Sequence, residues 1–150
     1  MIPAIIRYTD DMPAPWVGGY ARWFYIAIRP KYKDDKGIHA HELEHVKQWW
    51  ITTILAALAI AGGLYYTQAA PGLYSLVGLS LAVFQVLYSF FPRFKLKMEV
   101  LAYREQLKHY KDDRTALFAK FISTKYGLQG VSPEYAERLL RAGHAVGGGG

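Results

Sequence analysis

Between Gln48 and Pro92 the chain carries no Asp, Glu, Lys, Arg or His, a charge-free run of 45 residues in a total of 150. All 30 formal charges lie outside it, 13 before and 17 after. A turn of polar and small residues, Thr67-Gln68-Ala69-Ala70-Pro71-Gly72, divides the run, and its Pro-Gly pair stops a helix. The segments on either side, roughly Trp49–Tyr66 and Leu73–Phe91, each have about the length that crosses a hydrocarbon core of ~30 Å. A helix on the surface of a soluble protein keeps a charged face, and neither segment has one. The alternative is a helical hairpin buried in a soluble core. A chain this small offers too little other surface to cover two uncharged helices.

The flanks predict how the hairpin sits. Trp49 and Trp50 open the first segment and Tyr65 and Tyr66 close it. Tyr74 begins the return, and Tyr88, Phe90 and Phe91 end it. Such rings favour the headgroup level. Lys47 precedes the first span, Arg93, Lys95 and Lys97 follow the second, and the connecting turn is uncharged. The positive-inside rule then places both termini in the cytoplasm. Net charge is +6 at a mean hydropathy of +0.02. From Arg93 onward the chain holds most of that surplus, which topology and an anionic lipid surface account for. The lipid bilayer is therefore the expected partner, and a nucleic-acid binder is disfavoured. The absence of cysteine excludes disulfide scaffolds, thiolate metal sites and cysteine nucleophiles. The first seven residues are too short and too soon followed by acids for a secretory signal, so the first span is expected to direct insertion.

The remaining sequence predicts a mainly α fold with a small N-terminal β-hairpin. Ile5–Tyr8 and Trp23–Ile28 read as short strands that could pair antiparallel across a Pro- and Gly-containing loop from Asp10 to Gly19. A helix begins near Ile38 and runs unbroken into the first apolar segment. After Pro92, helices are expected at about 94–110, at 114–126 (capped by Asp113 and ended by Gly127), and from Pro133 to Arg141 with Ser132 as N-cap. Three functional parts follow: residues 1–48, the hairpin 49–92, and 93–146, with a disordered glycine tail at 147–150. Gly62, Gly63 and Gly78 would allow the two apolar helices to approach closely.

His41-Glu42-Leu43-Glu44-His45 is an H-E-x-x-H sequence on the helix that enters the membrane. Histidines at i and i+4 project from one face, one turn apart, which suits two imidazoles on one Zn²⁺. Glu42 lies about 100° round the helix, able to reach a metal-bound water without occupying a ligand position. Zinc lowers the pKa of that water to about 7, and the glutamate takes its proton as it attacks a carbonyl. An antiparallel hairpin returns the chain to the face it left. His45 is four residues before Trp49 and Glu99 is seven after Pro92, so their depths differ by only about 5 Å. Glu99 is thus expected beside the histidines as the third ligand, leaving a fourth position open.

H-E-x-x-H followed downstream by Glu-x-x-Ala (Glu99 to Ala102) resembles the gluzincin metallopeptidases. The closest architecture is that of the membrane-bound HtpX-type peptidases, where a transmembrane hairpin separates the motif helix from the glutamate helix. The resemblance spans roughly Trp23 to Gln106 and rests on the two short motifs. It implies a minimal zincin-like core with the hairpin inserted, zinc ligands at His41, His45 and Glu99, and Glu42 as general base. It also implies that the strand Trp23–Ile28 is the sheet edge that holds a peptide substrate. Tyr103 stands where gluzincins often place an Asp that orients a zinc histidine. Glu44 makes the string fit the inverted H-x-x-E-H pattern too, but Leu43 and Val46 occupy the family's apolar positions and favour Glu42. Gln48 and Ile51, where Gly and His would be needed, exclude a metzincin.

His39 points from another helix face and is expected in solvent, as is the charge of Glu105. Tyr103 is expected to pack, with hydrogen bonding to a reacting oxygen as the lesser alternative, and His109 is a further candidate for that role. The leading expectation is a membrane-anchored zinc endopeptidase acting on a peptide or protein at the cytoplasmic surface. The alternative is a non-enzymatic membrane hairpin protein with a structural or vestigial metal site.

Overall fold

A computed structural model describes residues 3–126, 128 and 130–142. The expected stop at Gly127 and the glycine tail lie outside the described residues. The fold is mainly helical with a small N-terminal sheet, and it contains two helices long and apolar enough to cross a membrane.

The sheet has three strands, β1 (Ile5–Tyr8), β2 (Gly19–Arg22) and β3 (Tyr25–Ile28), in the order β1-β3-β2. The expected antiparallel pair is corrected here: β1 runs parallel to β3, with Ile5 opposite Tyr25 and Tyr8 opposite Ile28. The added strand explains the change. Arg22 faces Tyr25 across a two-residue turn, so Trp23 and Phe24 are hairpin turn rather than strand. That hairpin puts β3 in the middle, and the long connection through residues 9–18 delivers β1 to its other side in the parallel sense. Arg29 holds this connection down, its Nε donating to Val17 O at 2.7 Å and its Nη2 to Ala14 O at 3.1 Å.

Helix α1 (Lys36–Tyr66) is one unbroken element of 31 residues. Asp35 caps it, Oδ1 accepting from Gly37 N at 2.9 Å and Ile38 N at 3.2 Å, which satisfies two of the free amides of the first turn. Its first half packs on the sheet through Ile26, Ile28 and Val46. Its second half is the first apolar segment, and Ile54, Leu55 and Leu58 lie largely exposed there.

The second apolar segment is not a single α-helix. Pro71–Leu79 winds as a 3₁₀ helix and continues as α2 (Ser80–Phe90). The 3₁₀ rise of ~2.0 Å per residue lengthens the segment, so its 20 residues extend about 34 Å. The three expected glycine contacts are absent: a Cβ built on Gly62, Gly63 or Gly78 meets nothing within 4 Å. The helices meet near the other end instead, where Trp49 Nε1 donates to Leu81 O at 3.1 Å and Thr53, Ser80 and Phe84 are buried.

Phe91, extended at φ −115°, ends α2 and precedes α3 (Pro92–Leu107), with Pro92 at its first position. The ring of Pro92 disfavours helical geometry at Phe91, and the chain breaks there. Helices α4 (Thr115–Lys125) and α5 (Pro133–Arg141) pack on α3 around Val100, Leu107, Phe118, Ile122 and Leu140. Ser132 Oγ accepts from Tyr135 N at 3.2 Å as the cap expected for α5, whereas the N-cap of α4 is Arg114 rather than the expected Asp113, which lies one residue earlier and accepts from Thr115 N at 2.9 Å. One apolar cluster therefore lies under the sheet and α1, another under α3 to α5. The α1–α3 seam joins them.

Candidate metal centre

The seam carries the polar centre. His41 and His45 come from consecutive turns of α1, Glu99 from the second turn of α3, and their ligand atoms all lie within 4.8 Å of one another. The two imidazole Nε2 atoms are 3.2 Å apart. Glu99 Oε2 is 3.7 Å from His41 Nε2, and Oε1 is 3.5 Å from His45 Nε2. Tetrahedral zinc with bonds of 2.0–2.1 Å needs ligand–ligand edges of about 3.3 Å, so the three groups are spaced as the edges of such a polyhedron. His41 Nδ1 and Glu99 Oε2 are buried without a hydrogen-bond partner among the described residues. A fully buried carboxylate with an unsatisfied oxygen is costly unless a cation answers it. The donor set of two imidazoles and one carboxylate fits a divalent metal.

Charge is distributed unevenly over the ligands. Burial, helped by the charge of His45, pushes His41 down to about 3. Burial acts to lower His45 as well, but the charge of Glu99 and its hydrogen bonding win and hold it at about 9. Burial would raise Glu99, yet His45 and His41 keep it below the usual carboxylate range. Glu42 is 5% exposed and belongs to no ion pair among the described residues. Its burial, opposed by His45 and assisted by Glu99, raises the carboxyl to about 8. A carboxyl poised near neutrality is suited to exchange protons.

Two residues support the ligands that sequence reasoning assigned elsewhere. Gln48 accepts through Oε1 at 3.0 Å from His45 Nδ1 and donates through Nε2 to Met98 O at 3.1 Å. It thereby fixes one ring and ties α1 to the residue before Glu99. Its place three residues after His45, on the same helix face, was the available signal. Tyr88, expected only as an interfacial aromatic, donates a hydrogen bond to Glu99 Oε1. No spacing rule relates Tyr88 to Glu99, because the break at Phe91 lies between them.

The other candidates separate clearly. Tyr103 packs, its ring 4.4 Å from that of His41 and its hydroxyl 2.8 Å from Tyr126 Oη. Glu44 turns away to Lys47 at 3.0 Å, which leaves Glu42 as the motif carboxylate in the cavity. His39 contacts Lys33 O at 2.8 Å, Glu105 pairs with Lys108, and His109 lies exposed beyond α3.

The centre opens into a cavity of about 430 Å³ that also runs along Gly18, Gly19, Tyr20 and Ala21. The strand expected at the sheet edge is therefore reassigned: β3 is central, and β2 is the edge beside the site. Gly19 lies so close that an added Cβ would be 3.1 Å from Glu42 Oε1. No protein-family model, curated protein or solved structure matches the chain.

Proposed function

We propose that the protein is a membrane-anchored zinc metallopeptidase that hydrolyses peptide bonds at the cytoplasmic face of the bilayer. The observation that carries this reading is the convergence of His41, His45 and Glu99 at tetrahedral spacing, with Glu42 beside them in an open cavity. His41, His45 and Glu99 would hold zinc, which supplies Lewis acidity toward water and the scissile carbonyl when bound. Glu42 takes a proton from the attacking water on its carboxylate and returns it to the leaving amine. Gln48 and Tyr88 hold a histidine and the carboxylate in their orientations. The free edge of β2 offers backbone groups to a peptide in extended form, and the cavity beside it receives the side chains.

Metal analysis of the purified protein beside His45→Ala tests the ligands: wild type should hold one zinc per chain and the variant should lose it. Glu42→Gln should keep zinc and lose cleavage of an unstructured protein. If Glu42→Gln cleaves as wild type does, the enzymatic reading is refuted. A structural metal centre would then remain, the reading that the complete burial of Glu99 favours.

A further inference from the structure

The β2–β3 hairpin is fixed to α1 at both of its ends. At the open end Gly19 lies against Glu42. At the turn the ring of Phe24 sits 6.2 Å from that of Trp49, the first residue of the first apolar segment. The hairpin thus follows α1 from the metal centre to the point where the chain enters its apolar segment.

The turn has an unusual composition for its geometry. Two-residue hairpin turns favour Asn-Gly or similar pairs, because they require positive φ. Here Trp23 adopts φ 58°, a strained conformation for a bulky residue. Neither ring offsets that strain by burial, since Trp23 is 48% and Phe24 42% exposed. The neighbouring chain continues the same surface. Ile5, 55% exposed, donates its N–H to Phe24 O at 2.8 Å, and Pro3 O accepts from Trp50 Nε1 at 3.3 Å. One end of the sheet therefore presents Ile5, Trp23 and Phe24, with the buried ring of Trp49 beneath Phe24 and the half-buried Trp50 beside Pro3. No acidic residue occurs between Asp11 and Asp34. The nearest charge is Arg22, whose guanidinium lies 5.6 Å over the Trp23 ring.

We propose that this hairpin tip is itself a membrane contact: Trp23 and Phe24 enter the headgroup–acyl boundary, and Arg22 meets lipid phosphate. The inference rests on the reading that the two apolar segments span a bilayer. Aromatic rings belong at that depth, and a cation beside them suits an anionic leaflet. The bilayer, rather than a protein partner, is the occupant because the patch adjoins Trp50, bonded to Pro3, and the exposed Ile51 at the start of the first span. The consequence concerns the site. Strand β2 then rises from the lipid surface to Glu42 over about four residues, or ~13 Å, so a peptide paired on its edge is read close to the membrane.

The chain has no cysteine, so one introduced thiol is labelled uniquely. Nitroxide labels are placed by Phe24→Cys, by Leu58→Cys in the first apolar segment and by Asp34→Cys in an exposed loop. Each full-length protein is reconstituted in vesicles of phosphatidylcholine and phosphatidylglycerol. Labels at 24 and 58 should collide with dissolved oxygen and be shielded from a water-soluble nickel chelate, while the label at 34 meets nickel freely. If 58 is shielded but 24 is as open as 34, the tip is an aqueous surface left for substrate or a second copy. The inference then fails while the membrane reading stands. If 58 is open as well, the membrane reading fails with it. A variant with Trp16, Trp49 and Trp50 changed to Phe keeps the native ring at Trp23. Its emission should shift to the blue and be quenched by brominated lipids, and an unquenched red emission overturns the proposal.

Discussion

Gly37→Ala tests how α1 is docked on α3, because two physical effects predict opposite signs. Replacing glycine by alanine inside a helix stabilises by up to about 1 kcal/mol, and Gly37 is the second residue of α1. A Cβ at that position would lie 2.5 Å from both Cζ and the hydroxyl oxygen of Tyr110. The ring has to move, and it is engaged on several sides. Its hydroxyl donates to Asp35 Oδ1 at 2.9 Å and accepts from Gln106 Nε2 at 3.0 Å. Arg114 stacks on the ring at 4.0 Å. Hydrogen bonds to a charged group contribute about 1.5–3 kcal/mol each, and this one also steadies the carboxylate that caps α1. The net expectation is a loss of about 1–2 kcal/mol, or roughly 2–8 °C in the midpoint of thermal unfolding in detergent micelles. Zinc affinity should fall as well, since His41 lies one turn beyond Gly37. In a Tyr110→Ala background the clash is gone and Gly37→Ala should be neutral or stabilising. A raised midpoint for Gly37→Ala alone would refute the docking argument. Equal effects in the two backgrounds would do so too, since residues in contact do not act additively.

Further outcomes are expected at the site and its supports. Gln48→Leu removes the partner of His45 Nδ1 and should weaken zinc binding about 10–100-fold in competition with a chromophoric chelator. Tyr88→Phe takes the donor from a fully buried carboxylate and should weaken zinc binding by a similar factor while leaving the far-ultraviolet spectrum unchanged. Unaltered affinity in both would remove these residues from the support of the centre. Gly19→Ala should retain zinc but lower cleavage on the order of 100-fold, because its methyl displaces Glu42 or the β2 edge. Ser132→Ala should lower stability by about 1 kcal/mol through the lost cap on α5, with zinc content untouched.

The parts of this molecule that were legible beforehand are those governed by local chemistry. A charge-free run marks helices long and apolar enough to cross a membrane, the cap at Ser132 acts on an amide three positions away, and H-E-x-x-H places two rings by helical period. Glu99 was legible for a different reason: a hairpin of known length returns the chain to a calculable depth. What stayed hidden depends on non-local pairing or on breaks in periodicity. Gly19–Arg22 reads as the end of a loop, since Gly-Tyr-Ala-Arg has no strand pattern until Tyr25–Ile28 supplies its partner. Trp23 and Phe24 have strand-like side chains but occupy a turn. Tyr88 meets Glu99 only because the extended residue Phe91 redirects the chain between them. The glycines of the apolar helices suggested an approach that the helices make elsewhere, through Trp49 and Phe84.

The break at Phe91 also divides the centre mechanically. Both imidazoles ride on α1, which continues without interruption into the first apolar segment, whereas Glu99 hangs beyond a joint. In a bilayer that thickens or thins, α1 shifts or tilts as a single rod and keeps its two nitrogens at a constant separation. The carboxylate is coupled to that rod only through side-chain contacts such as Gln48 to Met98 O, so if the segments span a bilayer as proposed, hydrophobic mismatch would load the two nitrogen–oxygen edges of the centre before the nitrogen–nitrogen edge. On the proposed reading, lipid chain length would then be a variable that acts on the metal-binding geometry itself.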